Sequence, residues 1–321
     1  MEKFSKIDLG LPEFLPFVPF YTGHSQTLLG HLVPSKTEED EFRSHILKLP
    51  DGDEIHLLYK DLNSEVTLSV YHGLGGDAGA DYIRRTARVA SQFGWNIILV
   101  NHRKASPLAR AERTYHSGRG DDASAVINWA REQFPGTKQV AVGFSMSGSI
   151  LLNLVCGRYG LYKPDFAVVV NAPLKLSNAA TLLSRGFSKI YDLRFYLILK
   201  SILQKEGDEK LPTFGRTFDI DERFTSRING FKNAEDYYEK CSSYNYLSNI
   251  DVPTFVLSSF DDPFIDVNDY LQAKWSSCVH LTLARHGGHM GYFSKNKDPR
   301  YGRRWLDLYL ESVFKKIKDL L

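Results

Sequence analysis

Three residue types, each at the end of an apolar run, have the chemistry for acyl transfer. Gly143-Phe-Ser145-Met-Ser147-Gly148-Ser149 lies between a β-like run, Lys138–Phe144, and a helix-like run, Met146–Cys156. A serine hydroxyl is a poor nucleophile until a base takes its proton, and imidazole titrates where it can take that proton and return it. Asp261-Asp262-Pro263 follows the run Thr254–Ser259, and His286-Gly-Gly-His289 follows Val279–Ala284. A carboxylate can hold the imidazole in one tautomer and stabilise its charged form. Upstream, His72-Gly73-Leu74-Gly75-Gly76 follows Val66–Tyr71, and glycines there let a backbone N–H approach a substrate oxygen. Gly-x-Ser alone is a weak pattern. Its place between strand and helix, with acid and then histidine downstream, gives it weight.

Register selects among the serines. Ser145 has Gly143 two places before it, where a tight turn leaves no room for a side chain. Ser147 would have Ser145 and Ser149 in the two small positions, and it already lies in the helical run, where its hydroxyl can bond to nearby backbone. Ser145 is therefore the candidate nucleophile, and Ser147 stands where Gly-x-Ser-x-Gly has its second glycine.

The elements that must position these groups alternate. Ser44–Lys48 and Glu54–Tyr59, joined by Pro50-Asp-Gly-Asp53, read as a hairpin. Val66–Tyr71, Trp95–Val100, Lys138–Phe144 and Phe166–Val170 read as strands, with helices over Asp81–Phe93, Asp121–Phe134 and Met146–Cys156 between them. Asp121 and Asp122 suit a helix N-terminus. After a helical, aromatic stretch from about 174 to 250, strands Thr254–Ser259 and Val279–Ala284 resume, with helices over Val267–Trp275 and Arg303–Leu320. Such alternation implies a mostly parallel sheet covered on both faces. The expectation is a single α/β domain over 1–321 with an inserted helical cap. Leu11–Phe20, with three prolines and three phenylalanines, is read as an arm packed across the body rather than a lipid contact.

Bulk composition narrows the function classes. The 321 residues are 43% hydrophobic and 24% charged, with a net charge of +2, so nothing argues for nucleic acid. Three widely spaced cysteines (Cys156, Cys241, Cys278) have no metal or redox spacing and suit a reducing compartment. Without a signal-peptide core or a membrane-length apolar run, a cytoplasmic location is expected. Gly73-Leu-Gly75-Gly-Asp-Ala78 also fits a dinucleotide fingerprint, but no acid closes the next strand, and the reading leaves Ser145, Asp262 and His289 unexplained. A metal at His286 and His289 lacks a third ligand.

With these residues in hand, the sequence resembles the YheT-like branch (AB hydrolase 4 type) of the α/β-hydrolase superfamily. Besides the serine turn, the likeness rests on Gly23-His24-Ser25-Gln26-Thr27-Leu28, His72-Gly73-Leu74, Asn101-His-Arg103 and Tyr115-His-Ser-Gly118. Phe218-Asp219, Gly230-Phe231, Asp236-Tyr-Tyr238, Asp261-Asp-Pro-Phe264 and Gly287-Gly-His289 complete it. It runs from about 14 to 315. The resemblance implies an α/β-hydrolase fold and a triad of Ser145, Asp262 and His289. Asp262 is preferred to Asp261 because it directly precedes the proline. It further implies oxyanion donors at the N–H groups of Leu74 and Met146. Two positions depart from the family: Ser147 for the elbow glycine, and Lys104 where a glycine usually follows the arginine.

The expected activity is hydrolysis of a short- to medium-chain acyl ester or lipid-like substrate through an acyl-serine, with no cofactor and no metal. Acyl transfer to an alcohol, thioester hydrolysis, or a catalytically silent ligand binder would use the same fold. The expected partner is a small-molecule acyl ester; nothing in the sequence speaks to oligomeric state or to peripheral membrane contact.

Overall fold

In the computed structural model, which describes Phe4 and residues 7–34, 41–203 and 211–321, the alternating runs build an eight-stranded sheet. Its strands are β1 (Arg43–Lys48), β2 (Glu54–Lys60), β3 (Val66–Tyr71), β4 (Asn96–Asn101), β5 (Lys138–Phe144), β6 (Phe166–Val170), β7 (Thr254–Ser259) and β8 (Val279–Ala284). They lie in the order β1-β2-β4-β3-β5-β6-β7-β8. β2 pairs antiparallel with both β1 and β4, and the remaining pairings are parallel.

Period-two burial divides the side chains between two cores. Val66, Leu68 and Val70 of β3, Val140, Val142 and Phe144 of β5, and Phe255 and Leu257 of β7 face one core with helices α2 (Asp81–Gln92) and α11 (Trp305–Leu320). Tyr71, Ala141, Val169 and Val256 face the other, with α3 (Gly120–Gln133) and α4 (Met146–Val155). Sandwiched this way, β3, β6 and β7 are buried along their whole length, which is why they read as continuous apolar runs.

Asp121 and Asp122 lie in the first turn of α3, as expected, and Asp122 has a second partner. It is 3% exposed and clamps Arg103, with Arg103 Nε 2.8 Å from its Oδ2 and Nη2 2.6 Å from its Oδ1. Asp51 and Asp53, from the β1–β2 turn, hold the other side of the same guanidinium. Burial works against this charge, yet the Asp122 and Asp51 bonds keep Arg103 above its ordinary value. Lys104, beside it, takes φ 62°, the backbone conformation a glycine would adopt freely.

Several elements differ from the sequence reading. Gly23–Leu32 is a helix (α1) with Thr22 as its N-cap. Residues β9 (Phe293–Asp298) and β10 (Gly302–Arg304) form a separate small hairpin, bridged by Pro16 of the N-terminal arm. α10 covers Val267–Gln272, short of Trp275, because Ala273 already takes an extended conformation. The arm itself packs inward through Phe14, which meets the rings of Tyr292 and Trp305. Between β6 and β7 come α5 (Leu176–Leu183), α6 (Lys189–Leu203), α7 (Thr217–Ile220), a π-turn over Asp221–Thr225, α8 (Ser226–Ile228) and α9 (Ala234–Cys241). Among the described residues, no helix is long and apolar enough to cross a membrane.

Candidate active site

The turn from β5 into α4 is sharp enough to lift one side chain out of the sheet. Ser145 sits at φ 53°, ψ −120°, a strained conformation for a residue with a side chain. A Cβ on Gly143 would lie 2.5 Å from the Ser147 carbonyl oxygen, so only glycine fits there. One on Gly148 would come within 2.7 Å of Ala172 Cβ, so Gly148 is what lets α4 lie close to the end of β6. Ser147 takes no part in that approach. Its side chain is fully buried on another side of the helix, where Oγ donates to the His72 carbonyl and lies 2.7 Å from His102 Nε2.

Loops from the far side of the sheet meet Ser145. His289 Nε2 is 2.9 Å from Ser145 Oγ, and His289 Nδ1 is 2.8 Å from Asp262 Oδ2. The other oxygen of Asp262 accepts the N–H groups of Phe264 and Ile265, and Asn171 Nδ2 donates to Oδ2 at 2.8 Å. Its neighbour Asp261 points elsewhere: Oδ1 accepts Gly288 N–H, and Oδ2 lies 3.3 Å from His286. Asp262, and not Asp261, touches His289; His286 reaches neither Ser145 nor Asp262. No group of three or more potential metal ligands occurs among the described residues.

Positioning residues outside the predicted set complete the frame. Thr27 Oγ1, on α1, accepts the backbone N–H of His289 at 2.8 Å, and the Phe264 ring lies 4.1 Å, centroid to centroid, from the imidazole. A Cβ on Gly23 would fall 1.6 Å from the Asp261 carbonyl oxygen, so α1 presses directly on the acid's loop. Tyr292 donates to Asn171 Oδ1, steadying the amide that holds Asp262. Thr27 lies inside a segment that carries the family resemblance. Asn171 and Tyr292 offered no such signal.

The glycine loop after β3 passes beside the serine, Gly73 closely enough that a Cβ there would be 3.2 Å from Ser145 Cβ. Gly73 N–H donates to the Tyr82 hydroxyl at 2.8 Å and Gly75 N–H to the Tyr115 hydroxyl at 2.7 Å. Between them, Leu74 N–H has no partner among the described residues, and neither has Met146 N–H. Leu74, Ser145 and Met146 open into a cavity of about 120 Å³. Its walls come largely from 176–203 and 216–238, with Leu183, Phe195, Leu199 and Leu203 apolar and Asp221 and Tyr238 polar. Burial raises the Asp221 carboxyl to about 6, although the Tyr238 hydroxyl donates to it at 2.7 Å. Burial acts oppositely on imidazoles: His72 falls to about 4, and His102 and His116 lie well below their ordinary value.

Comparison with known proteins bears on the fold and the family. No family model matches the sequence. YheT of Escherichia coli (strain K12), which carries the provisional name of an esterase, is 30% identical over 87% of each chain. Human phospholipase ABHD3 is 27% identical over 94% of this chain and 78% of its own. The esterase Pf2001 of Pyrococcus furiosus superposes with a TM-score of 0.61 at 16% identity, covering 89% of this chain and 96% of its own, which speaks for the fold. With a sheet of this order, a serine at this turn and this identity to YheT, the chain belongs to the YheT-like branch of the α/β-hydrolase superfamily, among carboxylic ester hydrolases.

Proposed function

We propose that the protein hydrolyses carboxylic esters with short to medium acyl chains through an acyl-Ser145 intermediate. The observation that carries this is the unbroken line of hydrogen bonds from Asp262 through His289 to Ser145. His289 Nε2 takes the Ser145 proton as Oγ attacks the ester carbonyl. Charge then develops on the carbonyl oxygen, for which the N–H groups of Leu74 and Met146 are free. The imidazolium returns its proton to the departing alcohol, and Asp262 stabilises the charged ring. Water repeats the sequence on the acyl-enzyme.

The acyl chain is assigned to the cavity beside Ser145, where Leu183, Phe195, Leu199 and Leu203 supply apolar contact. Residues 174–250 act as its cap within a single 1–321 domain. An alcohol outcompeting water for the acyl-enzyme would turn the same site into an acyltransferase, and a thioester would meet the same machinery. The names of YheT and phospholipase ABHD3 support ester chemistry without fixing the substrate. A p-nitrophenyl ester series from acetate to palmitate, combined with fluorophosphonate labelling, tests the reading. Expected are turnover with an optimum below long chains, and labelling lost in Ser145→Ala but kept in Ser147→Ala. No turnover and no labelling of the wild-type protein would leave a silent ligand binder instead.

A further inference from the structure

We propose that Ser147 and His102 form a buried strut that fixes the oxyanion loop to the nucleophile helix, making the serine at the elbow's second glycine position a positioning residue for catalysis. The proposal rests on the functional reading of Ser145 above.

The geometry is closed on every side. Ser147 Oγ has one proton, and the His72 carbonyl takes it. Its lone pair therefore faces His102 Nε2 at 2.7 Å as acceptor, which assigns the ring proton of His102 to Nε2. His72 is engaged three ways. Its carbonyl accepts from Ser147, its Nδ1 donates to the Gly73 carbonyl at 2.8 Å, and its Nε2 accepts the backbone N–H of His102 at 3.2 Å. Ser147, His72 and His102 are 0%, 0% and 2% exposed, so no water competes for these bonds.

The strut ends where positional error would matter most. His72 immediately precedes Gly73 and Leu74, whose flanking amides are pinned by Tyr82 and Tyr115. The His102 ring lies nearly parallel on Tyr115, 9° between planes and 5.2 Å between centroids, so the same histidine braces both ends of the loop. Ser147 is two residues from Ser145 on the same rigid turn. One hydroxyl thus ties the element carrying the nucleophile to the element carrying the Leu74 donor. A glycine at 147 would leave the His72 carbonyl and the His102 Nε2–H without this partner inside the protein. Burial keeps both imidazoles neutral at working pH, as this donor–acceptor chain requires.

A strut of this kind acts on the transition state and not on ground-state binding. The full-length protein carrying Ser147→Ala, His102→Ala, His102→Gln or both alanine changes is assayed with p-nitrophenyl butyrate. An alkyl trifluoromethyl ketone, whose tetrahedral adduct on Ser145 places an oxyanion in the same site, is measured in parallel. Ser147→Ala is expected to lower kcat about tenfold with KM within about twofold, since a small displacement of one donor loses part of its contribution. Ketone affinity should fall by the same factor as kcat/KM. The double variant should be no worse than the poorer single one, because both remove one strut. His102→Gln, which can still donate to Ser147, should recover most of the rate lost in His102→Ala.

An unchanged kcat in Ser147→Ala, or a lowered kcat with undiminished ketone affinity, would overturn the proposal. Should Ser147→Ala not fold, equal rates in His102→Gln and His102→Ala would overturn it instead. Ser145→Ala separates the two levels. Activity surviving that change defeats the triad itself, whereas activity lost there but intact in Ser147→Ala defeats only the strut.

Discussion

The sheet layer and the helical segment above it are held together differently. The strands and helices α2, α3, α4 and α11 share two extensive apolar cores with side chains at or near zero exposure. The segment from α5 to α9 reaches the first of these through Leu183 and Tyr191 and, among the described residues, adds two small clusters of its own, one around Leu176, Tyr237 and Tyr238 and one around Tyr196, Leu211 and Ile220. Much of its cohesion comes from polar links, such as Tyr238 to Asp221 and Thr217 N–H to Asp192. Its outer face leaves Phe187, Ile190 and Leu197 exposed. On the proposed function, an extensively cored layer holding the reacting groups and a less extensively cored layer shaping the pocket separate rate from selectivity. Substitutions in the first should cost activity or stability, and those in the second should change substrate preference.

The most severe break lies in the layer holding the reacting groups. Ser145→Ala is expected to lower kcat by about 10⁶-fold, with the protein still folded, read from p-nitrophenyl ester hydrolysis and circular dichroism. Ser145→Gly should be equally inactive yet more stable, by about 1–3 kcal/mol, because glycine relieves the φ of 53°. Asp262→Asn should cost about 10⁴-fold in kcat by disturbing the His289 tautomer. Asp261→Asn, whose carboxylate bonds Gly288 N–H, should cost far less; equal losses would reverse the assignment of the acid.

Stability separates the layers next. Leu68→Ala, fully buried in β3, should destabilise by about 2–5 kcal/mol in urea unfolding, with KM and chain-length preference intact in the surviving protein. Ala180→Phe, on the pocket wall, should shift the ester optimum toward shorter chains with little change in Tm. A Tm loss comparable to that of Leu68→Ala would erase the contrast. The smallest effect is acid sensitivity. His72 titrates near 6.5 unfolded and about 4 folded, so the unfolded chain binds the extra proton first. Its contribution is complete above about 6.5 and declines as pH falls toward 4, and His102 and His116 act in the same direction. Unfolding midpoints should therefore fall through that window, and less steeply in His116→Phe.

The sheet layer was largely legible because strands buried on both faces leave continuous β-branched runs; Val66–Tyr71, Lys138–Phe144 and Phe166–Val170 form strands at those bounds. β9 was not legible, since Phe293-Ser-Lys-Asn-Lys-Asp298 is polar and pairs with β10 and a single arm residue. Helix α1 has a weak apolar pattern because Gly23 and Gly30 press on loop backbone while Leu28 reaches the core. In the site, residue type and chain order marked the serine turn, the Asp261-Asp262 pair and the histidine loop, the family resemblance picked Asp262, and the structure brings Ser145, Asp262 and His289 together. The roles of Thr27, Asn171 and Tyr292 depend on contacts across the fold that no local spacing encodes. Asp122 lies in the first turn of α3 as expected, but its bonds to Arg103 were not legible, since a helix-end acid and the partner of a distant arginine look alike in one dimension.

The bond from Thr27 to His289 joins residues 262 positions apart. The backbone anchor of His289 therefore needs the N-terminal helix and the loop after β8 both in place. On the proposed function, molecules with an intact central sheet but an undocked α1 would lack this support for His289.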